Sequence, residues 1–354
     1  MPPPSRRAPP PPATPARRVT LRLLGLACAL GLGACNTAPQ APSHEPPRVA
    51  SEPTRDLGAP DATPRAPAQV DAAALLMAEA GATEPGAVAE APYDLAADLV
   101  TRGEDARRRL GAGAATSVVG DVFLLAGPSS FGGFAASRSL TARALAAFYN
   151  DRFGRRPREA ITVYLFGDAQ SYSAFCKAAI HEACISIYGF YWPSERWMVM
   201  NAGLGLGTLT HELVHPLVEA DFPDAPTWLN EGIASIFEAP TFPRPGEIHG
   251  VKNWRLPRLR AALGGPPKAR AKAMPRTLFG MADDVFRDDD EALHYALARY
   301  LCQWLDERGK LWPFYRAFRD DRRADPTGAA AFKRVVGATP EEAEAPFLAW
   351  LARL

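Results

Sequence analysis

Two histidines four positions apart, His211 and His215, with Glu212 directly after the first, are the residues best placed to do chemistry. On a helix, positions i and i+4 share one face, so both imidazoles can reach a single metal ion. Glu212 falls about a third of a turn away, beside such an ion and not on it. The spacing fits zinc chemistry: two histidine ligands, with a carboxylate acting as general base toward the water that zinc activates.

The flanking residues must position this group. Met198-Val199-Met200-Asn201 reads as a short apolar strand. Gly203-Leu204-Gly205-Leu206-Gly207 follows as a flexible turn, without the Lys and Ser/Thr of a phosphate loop, and Thr208 to Thr210 open the helix. Downstream, Pro226 to Glu238 predicts a second helix, because Leu229, Ile233, Ile236 and Phe237 form one apolar stripe. Glu231 lies off that stripe and can turn toward the first helix. Catalytic zinc takes three protein ligands and leaves a fourth position open, so His211, His215 and Glu231 make a suitable set. Glu219 and Glu238 are the next carboxylates to consider. Glu238 shares a helical face with Glu231, and either orients a histidine from behind or is a plain surface carboxylate. Pro216 directly follows His215 and predicts a kink there, since proline has no N–H to give the helix.

The His211-Glu212-Leu213-Val214-His215 helix followed by Trp228-Leu229-Asn230-Glu231-Gly232-Ile233-Ala234 resembles the gluzincin zinc metallopeptidases of the zincin superfamily. It is most similar to the peptidase MA-like, thermolysin- and aminopeptidase-related families of bacterial envelopes. The likeness is strongest from Ile161 to Phe237. It implies an α+β zincin-like fold: a small N-terminal mixed sheet with the active-site helix, about 117–215, and a helical C-terminal lobe, about 216–354. It implies one zinc ion on His211, His215 and Glu231, with Glu212 as general base. It also implies an edge strand that pairs with extended peptide substrate, and a Tyr or His donor from the helical lobe. His294-Tyr295 is the adjacent pair that fits the donor; Tyr295 is favoured because a phenol donates at any pH below about ten. The expected activity is peptide-bond hydrolysis, with protein, peptide and peptidoglycan cross-links all open as substrates. The alternative is a non-catalytic envelope lipoprotein or binding module with a structural or degenerate zinc site.

Composition narrows the rest. The formal net charge is +1 over 354 residues, which gives no electrostatic footprint for nucleic acid. Arg17, Arg18 and Arg22 precede the apolar run 23–34, the pattern of a secretory signal peptide over 1–34. The run ends Leu32-Gly33-Ala34-Cys35, which resembles a bacterial lipobox. Cys35 is then either the lipid-bearing first residue of a mature protein on the outer membrane, or incidental to ordinary cleavage nearby. Residues 35–96 are rich in Pro and Ala and read as a disordered tether, with an isolated helix at 71–80. The catalytic domain is expected over 97–354. Cys176 and Cys184 lie eight residues apart, and form a disulfide in an oxidising envelope or remain as buried thiols. Cys302 reads as a core residue, and His44, His181 and His249 as surface residues.

Periodicity predicts a strand at 118–125, a helix at 140–153, a strand at 161–166 and a helix capped by Asp168. A hairpin is expected from 185–191 and 196–201, and loops from 239 to about 267. Residues 283–290 read as a solvated acidic turn lacking the ligand pattern of an EF-hand. Helices follow at 291–308, 312–318 and 329–336, then one capped by Thr339-Pro340-Glu341-Glu342.

Overall fold

The computed structural model describes residues 92–354. The signal-like run, Cys35, the tether and the helix expected at 71–80 lie outside the described residues. The first element, helix α1 (Leu95–Leu110), is one the periodicity did not predict. Its fully inward residues are Gly103 and Ala106, and the leucines on the same face, Leu95, Leu99 and Leu110, are only partly buried. Asp94 caps it by accepting from the N–H groups of Ala96 and Ala97. The folded unit therefore begins before residue 97.

The sheet has five strands: β1 (Ala115–Val119), β2 (Phe123–Gly127), β3 (Ile161–Phe166), β4 (Gly189–Trp192) and β5 (Trp197–Asn201), ordered β1-β2-β3-β5-β4. Strands β2, β3 and β5 run parallel, whereas β1 and β4 pair antiparallel at the two edges. The expected single strand at 118–125 is in fact a hairpin. Gly120 and Asp121 both take positive φ, the conformation that turns a chain tightly between paired strands.

Side chains alternate between two layers, as a sheet covered on both faces requires. Ile161, Val163 and Leu165 join the main core with Met198 and Met200. Tyr164 and Phe166 point the other way, to a second core with Trp197, Val199, Phe175 and Cys176. That second face carries α1 and helix α3 (Ala169–Ala179), which Asp168 caps through the Ser171 N–H. Helix α2 (Phe134–Phe148) lies on the main-core face and starts earlier than its periodicity suggested.

Helices α4 (Gly207–Glu212), α5 (Val214–Asp221) and α6 (Thr227–Ile236) follow the sheet. The segment expected as loops holds a short helix, α7 (Leu256–Leu263), and a second, α8 (Pro267–Lys272), begins where that segment ends. The expected acidic turn holds a one-turn helix, α9 (Asp283–Phe286), anchored by fully buried Phe286. Helices α10 (Glu291–Asp306), α11 (Leu311–Asp321), α12 (Ala329–Val336) and α13 (Glu344–Leu351) complete the chain. Gly337 ends α12 in the left-handed region. Thr339 and Glu342 bond each other's main-chain N–H as a capping box just before α13. The chain is thus α+β with a small mixed sheet.

The central packing joins α6 to α10. Gly232 permits it, because a Cβ there would lie 2.8 Å from Cys302 Sγ and 2.9 Å from the Ala298 carbonyl. Arg299 of α10, fully buried, donates to the carbonyls of Ser235 and Val251 and to Gln303. Among the described residues no helix is long and apolar enough to cross a membrane.

Candidate metal centre

The interruption between α4 and α5 follows from Pro216, which has no N–H for the Glu212 carbonyl four residues back. The bend is mild, since Leu213 keeps helical angles of φ −61° and ψ −26°. His211 and His215 therefore stay on one face, with ring centroids 5.0 Å apart. The start of α4 is fixed against the end of α6. Thr210 Oγ1 donates to the Phe237 carbonyl at 2.6 Å, and a Cβ on Gly207 would overlap the Glu238 carbonyl at 2.0 Å. The glycine-rich run is thus a close backbone approach as well as a turn.

His211, Glu212 and His215 offer ligand atoms that all lie within 4.8 Å of one another, a group able to hold a metal ion. Glu231 enters from α6. Its Oε2 lies 3.4 Å from His211 Nε2 and 3.9 Å from His215 Nε2. Ligand atoms about 2.1 Å from a tetrahedral zinc sit about 3.4 Å apart, which the Glu231–His211 separation matches and the Glu231–His215 separation of 3.9 Å exceeds by about half an ångström. Glu231 Oε2 is buried without a hydrogen-bond partner, whereas Oε1 accepts from Arg287 Nη2 at 2.9 Å. One carboxylate oxygen is therefore engaged and the other faces both imidazoles. Glu212 Oε2 lies 3.7 Å from His215 Nε2.

The far sides of the rings meet different partners, a hydrogen bond behind His215 and a carboxylate at longer range behind His211. His215 Nδ1 donates to Asn230 Oδ1 at 3.0 Å, which leaves Nε2 as the ring's lone-pair donor. His211 Nδ1 faces Glu238 Oε1 at 3.5 Å. Glu238 is buried, and accepts from Arg255 and, at 2.8 Å, from Asn253 Nδ2. Of its two possible positions, behind a histidine or on the surface, it takes the first. Glu219 sits elsewhere, accepting from Tyr191 Oη at 2.8 Å.

These carboxylates make the site favourable for positive charge. Burial opposes a charged His211, but Glu231, Glu212 and Glu238 outweigh it and push its pKa up to about 9. Burial works against ionised Glu231 too, yet His215, His211 and Arg287 hold it far below the usual carboxylate range. For Glu212 burial prevails and raises the carboxyl, against the two histidines and the Tyr191 main-chain N–H.

The site opens onto a cleft of roughly 1250 Å³, larger than the pockets that take small ligands. Its lining includes His211, Glu212, His215, Glu231, Tyr295 and the segment Ile185–Tyr191. Tyr295 reaches the cleft with its hydroxyl 3.3 Å from Arg287 Nη1. Burial, then the charge of Glu231, raises its pKa. His294 does not reach it. One position along α10 turns its side chain into the core, where Nδ1 lies 3.0 Å from the Phe286 carbonyl. Arg287 was missed by sequence reasoning, which saw only an acidic stretch; its lone positive charge amid Asp283, Asp284, Asp288, Asp289 and Asp290 was the available signal. Cys176 and Cys184 form a disulfide, and Cys302 is a buried free thiol. No known protein-family model and no curated protein matches the chain.

Proposed function

We propose that this protein is a zinc-dependent peptidase of the gluzincin kind, built on a zincin-like fold. The observation that carries the reading is the meeting of His211 Nε2, His215 Nε2 and the partnerless, buried Glu231 Oε2 beside Glu212. His211, His215 and Glu231 would hold the zinc. Zinc, when bound, lowers the pKa of water toward neutrality and polarises a carbonyl oxygen.

Glu212 is the general base. It takes a proton from the water that attacks the scissile carbonyl carbon, and gives it to the amine nitrogen as the C–N bond breaks. A carboxylate raised by burial is suited to both transfers. Tyr295 donates a hydrogen bond to the carbonyl oxygen as negative charge gathers there. The free edge of β4 supplies the binding ladder. Tyr188 O accepts from Asn201 N at 2.8 Å, so by antiparallel alternation the main-chain N–H and carbonyl of Gly189 and the carbonyl of Tyr191, whose N–H is engaged by Glu212, turn away from β5. They are placed to pair with an extended substrate.

The lipobox-like sequence ending at Cys35 supports export and lipid anchoring at a bacterial envelope. The test of the activity is Glu212→Gln, assayed with zinc-loaded protein against a mixed peptide library. Wild type is expected to cleave and the variant to keep zinc without cleaving. Equal hydrolysis by both, or none by either, overturns the reading.

A further inference from the structure

Large apolar side chains exposed to water are unevenly distributed on this molecule. Ten are exposed among the described residues, and five of them line the one cleft that holds the metal centre. Ile185, Ile187 and Tyr188 stand on one wall, 74%, 66% and 50% exposed. Leu204 and Trp254, 55% and 64% exposed, also border the cleft. Apolar surface concentrated in this way marks a place where something apolar binds.

The wall holds its position without packing of these side chains. Its main chain hangs on three hydrogen bonds: Tyr172 Oη to the Ser186 carbonyl at 2.6 Å, Asn201 Nδ2 to the Ile187 carbonyl at 3.0 Å, and Asn201 N to the Tyr188 carbonyl. Immediately before it stands Cys184, tied to Cys176 at the buried face of α3 with a Cα separation of 5.3 Å. The disulfide therefore fixes the entry point of a segment otherwise held by individually weak bonds. The segment continues directly into β4, whose free edge takes the substrate main chain in the proposed function.

We propose that the Cys176–Cys184 disulfide clasps an apolar wall, Ile185–Tyr188, that selects extended peptides with large apolar side chains, and that this selection is lost on reduction. The inference rests on the reading that the cleft receives extended peptide. Side chains alternate along such a peptide, so every second residue faces the wall while its main chain pairs with β4. Cys184 is partly exposed whereas Cys176 is fully buried, so the Cys184 side is where an attacking thiolate enters. A dithiol reductant attacks Cys184 Sγ and releases Cys176 as the thiol. Its second sulfur then closes on the first, freeing the Cys184 thiol and leaving the reductant as a cyclic disulfide. In an oxidising compartment the clasp is closed.

The experiment uses the zinc-loaded Glu212→Gln protein, which holds peptide without depending on turnover. Fluorescent nine-residue peptides with alternate Leu or alternate Ser are titrated by anisotropy, before and after dithiothreitol treatment, and again in an Ile185→Ser, Ile187→Ser background. Oxidised protein is expected to prefer the Leu peptide by about tenfold or more, as burial of an aliphatic side chain predicts. Reduction and the double substitution should each abolish that preference with zinc content unchanged. No preference in the oxidised protein, or a preference that survives either treatment, overturns the proposal. Global unfolding on reduction, read by circular dichroism, also overturns it, because the bond would then hold the domain and not the wall. A wild-type protein that binds with this preference but hydrolyses nothing sinks the peptidase reading alone. Hydrolysis without any side-chain preference sinks this one alone.

Discussion

Replacing Asn230 by leucine removes the acceptor that holds the His215 ring, while leaving a side chain of similar bulk. The bond is 3.0 Å long and the imidazole is 14% exposed, so little water is available to replace the lost partner. A neutral hydrogen bond contributes about 1 kcal/mol net, and loss of a partner behind a metal ligand costs about 10–100-fold in affinity. Asn230 is uncharged, which puts the expected effect at the lower end, about tenfold weaker zinc binding. Asn230→Asp is the matching control. A carboxylate behind the ring raises its basicity as a ligand, so affinity should equal or exceed that of wild type. Competition against a chromophoric chelator measures both constants, with circular dichroism to verify the fold. Leucine that binds zinc as tightly as asparagine in a native fold would refute the orienting role.

Glu231→Ala should remove most bound zinc, since two histidines alone hold the ion poorly; near-stoichiometric zinc by metal analysis would move the third ligand elsewhere. Tyr295→Phe should keep zinc and fold while lowering kcat about 10²–10³-fold, the usual cost of losing one donor to the developing oxyanion. Steady-state kinetics that match wild type would dismiss that role. Gly232→Ala forces a methyl into Cys302 and the Ala298 carbonyl, an overpacking cost of about 1–3 kcal/mol against a helix-propensity gain of about 1 kcal/mol. Both contacts are under 3.0 Å and one is to backbone, which places the cost near 3 kcal/mol and the net loss at about 2 kcal/mol, so calorimetry should show a Tm lower by roughly 4–8 °C; an unchanged Tm would contradict the close crossing of α6 and α10.

The elements nearest the chemistry were the most legible in the sequence, because they combine strong periodicity with punctuation. β3, the Asp168 cap, α6, α10 and α12 all follow patterns that burial of large apolar residues imposes. Helix α1 escaped because it directly follows the Pro/Ala-rich stretch and fully buries only glycine and alanine, its leucines Leu95, Leu99 and Leu110 staying half-exposed. The β1–β2 hairpin was hidden inside an apolar run, where only Gly120-Asp121 announces the turn. Helix α7 sits among prolines that suggested loops, although Pro257 occupies a first-turn position that a helix accepts, as Pro267 does at the start of α8. At the site, the spacing of His211, Glu212 and His215 is local and therefore visible. The roles of Asn230, Arg255 and Arg287 depend on contacts between distant segments, which one-dimensional pattern does not carry.

The brevity of β4 has a consequence for how the molecule behaves in company. An uncovered strand edge is a template on which a second copy can add its own strand and so begin an aggregate. Here the offered edge is four residues long, Gly189–Trp192, and Pro193 ends it with a residue that has no N–H to extend the ladder. Two such edges brought together would share too few bonds to hold against solvent. The strand can thus stay open toward a visiting chain without becoming a point of self-adhesion between neighbours.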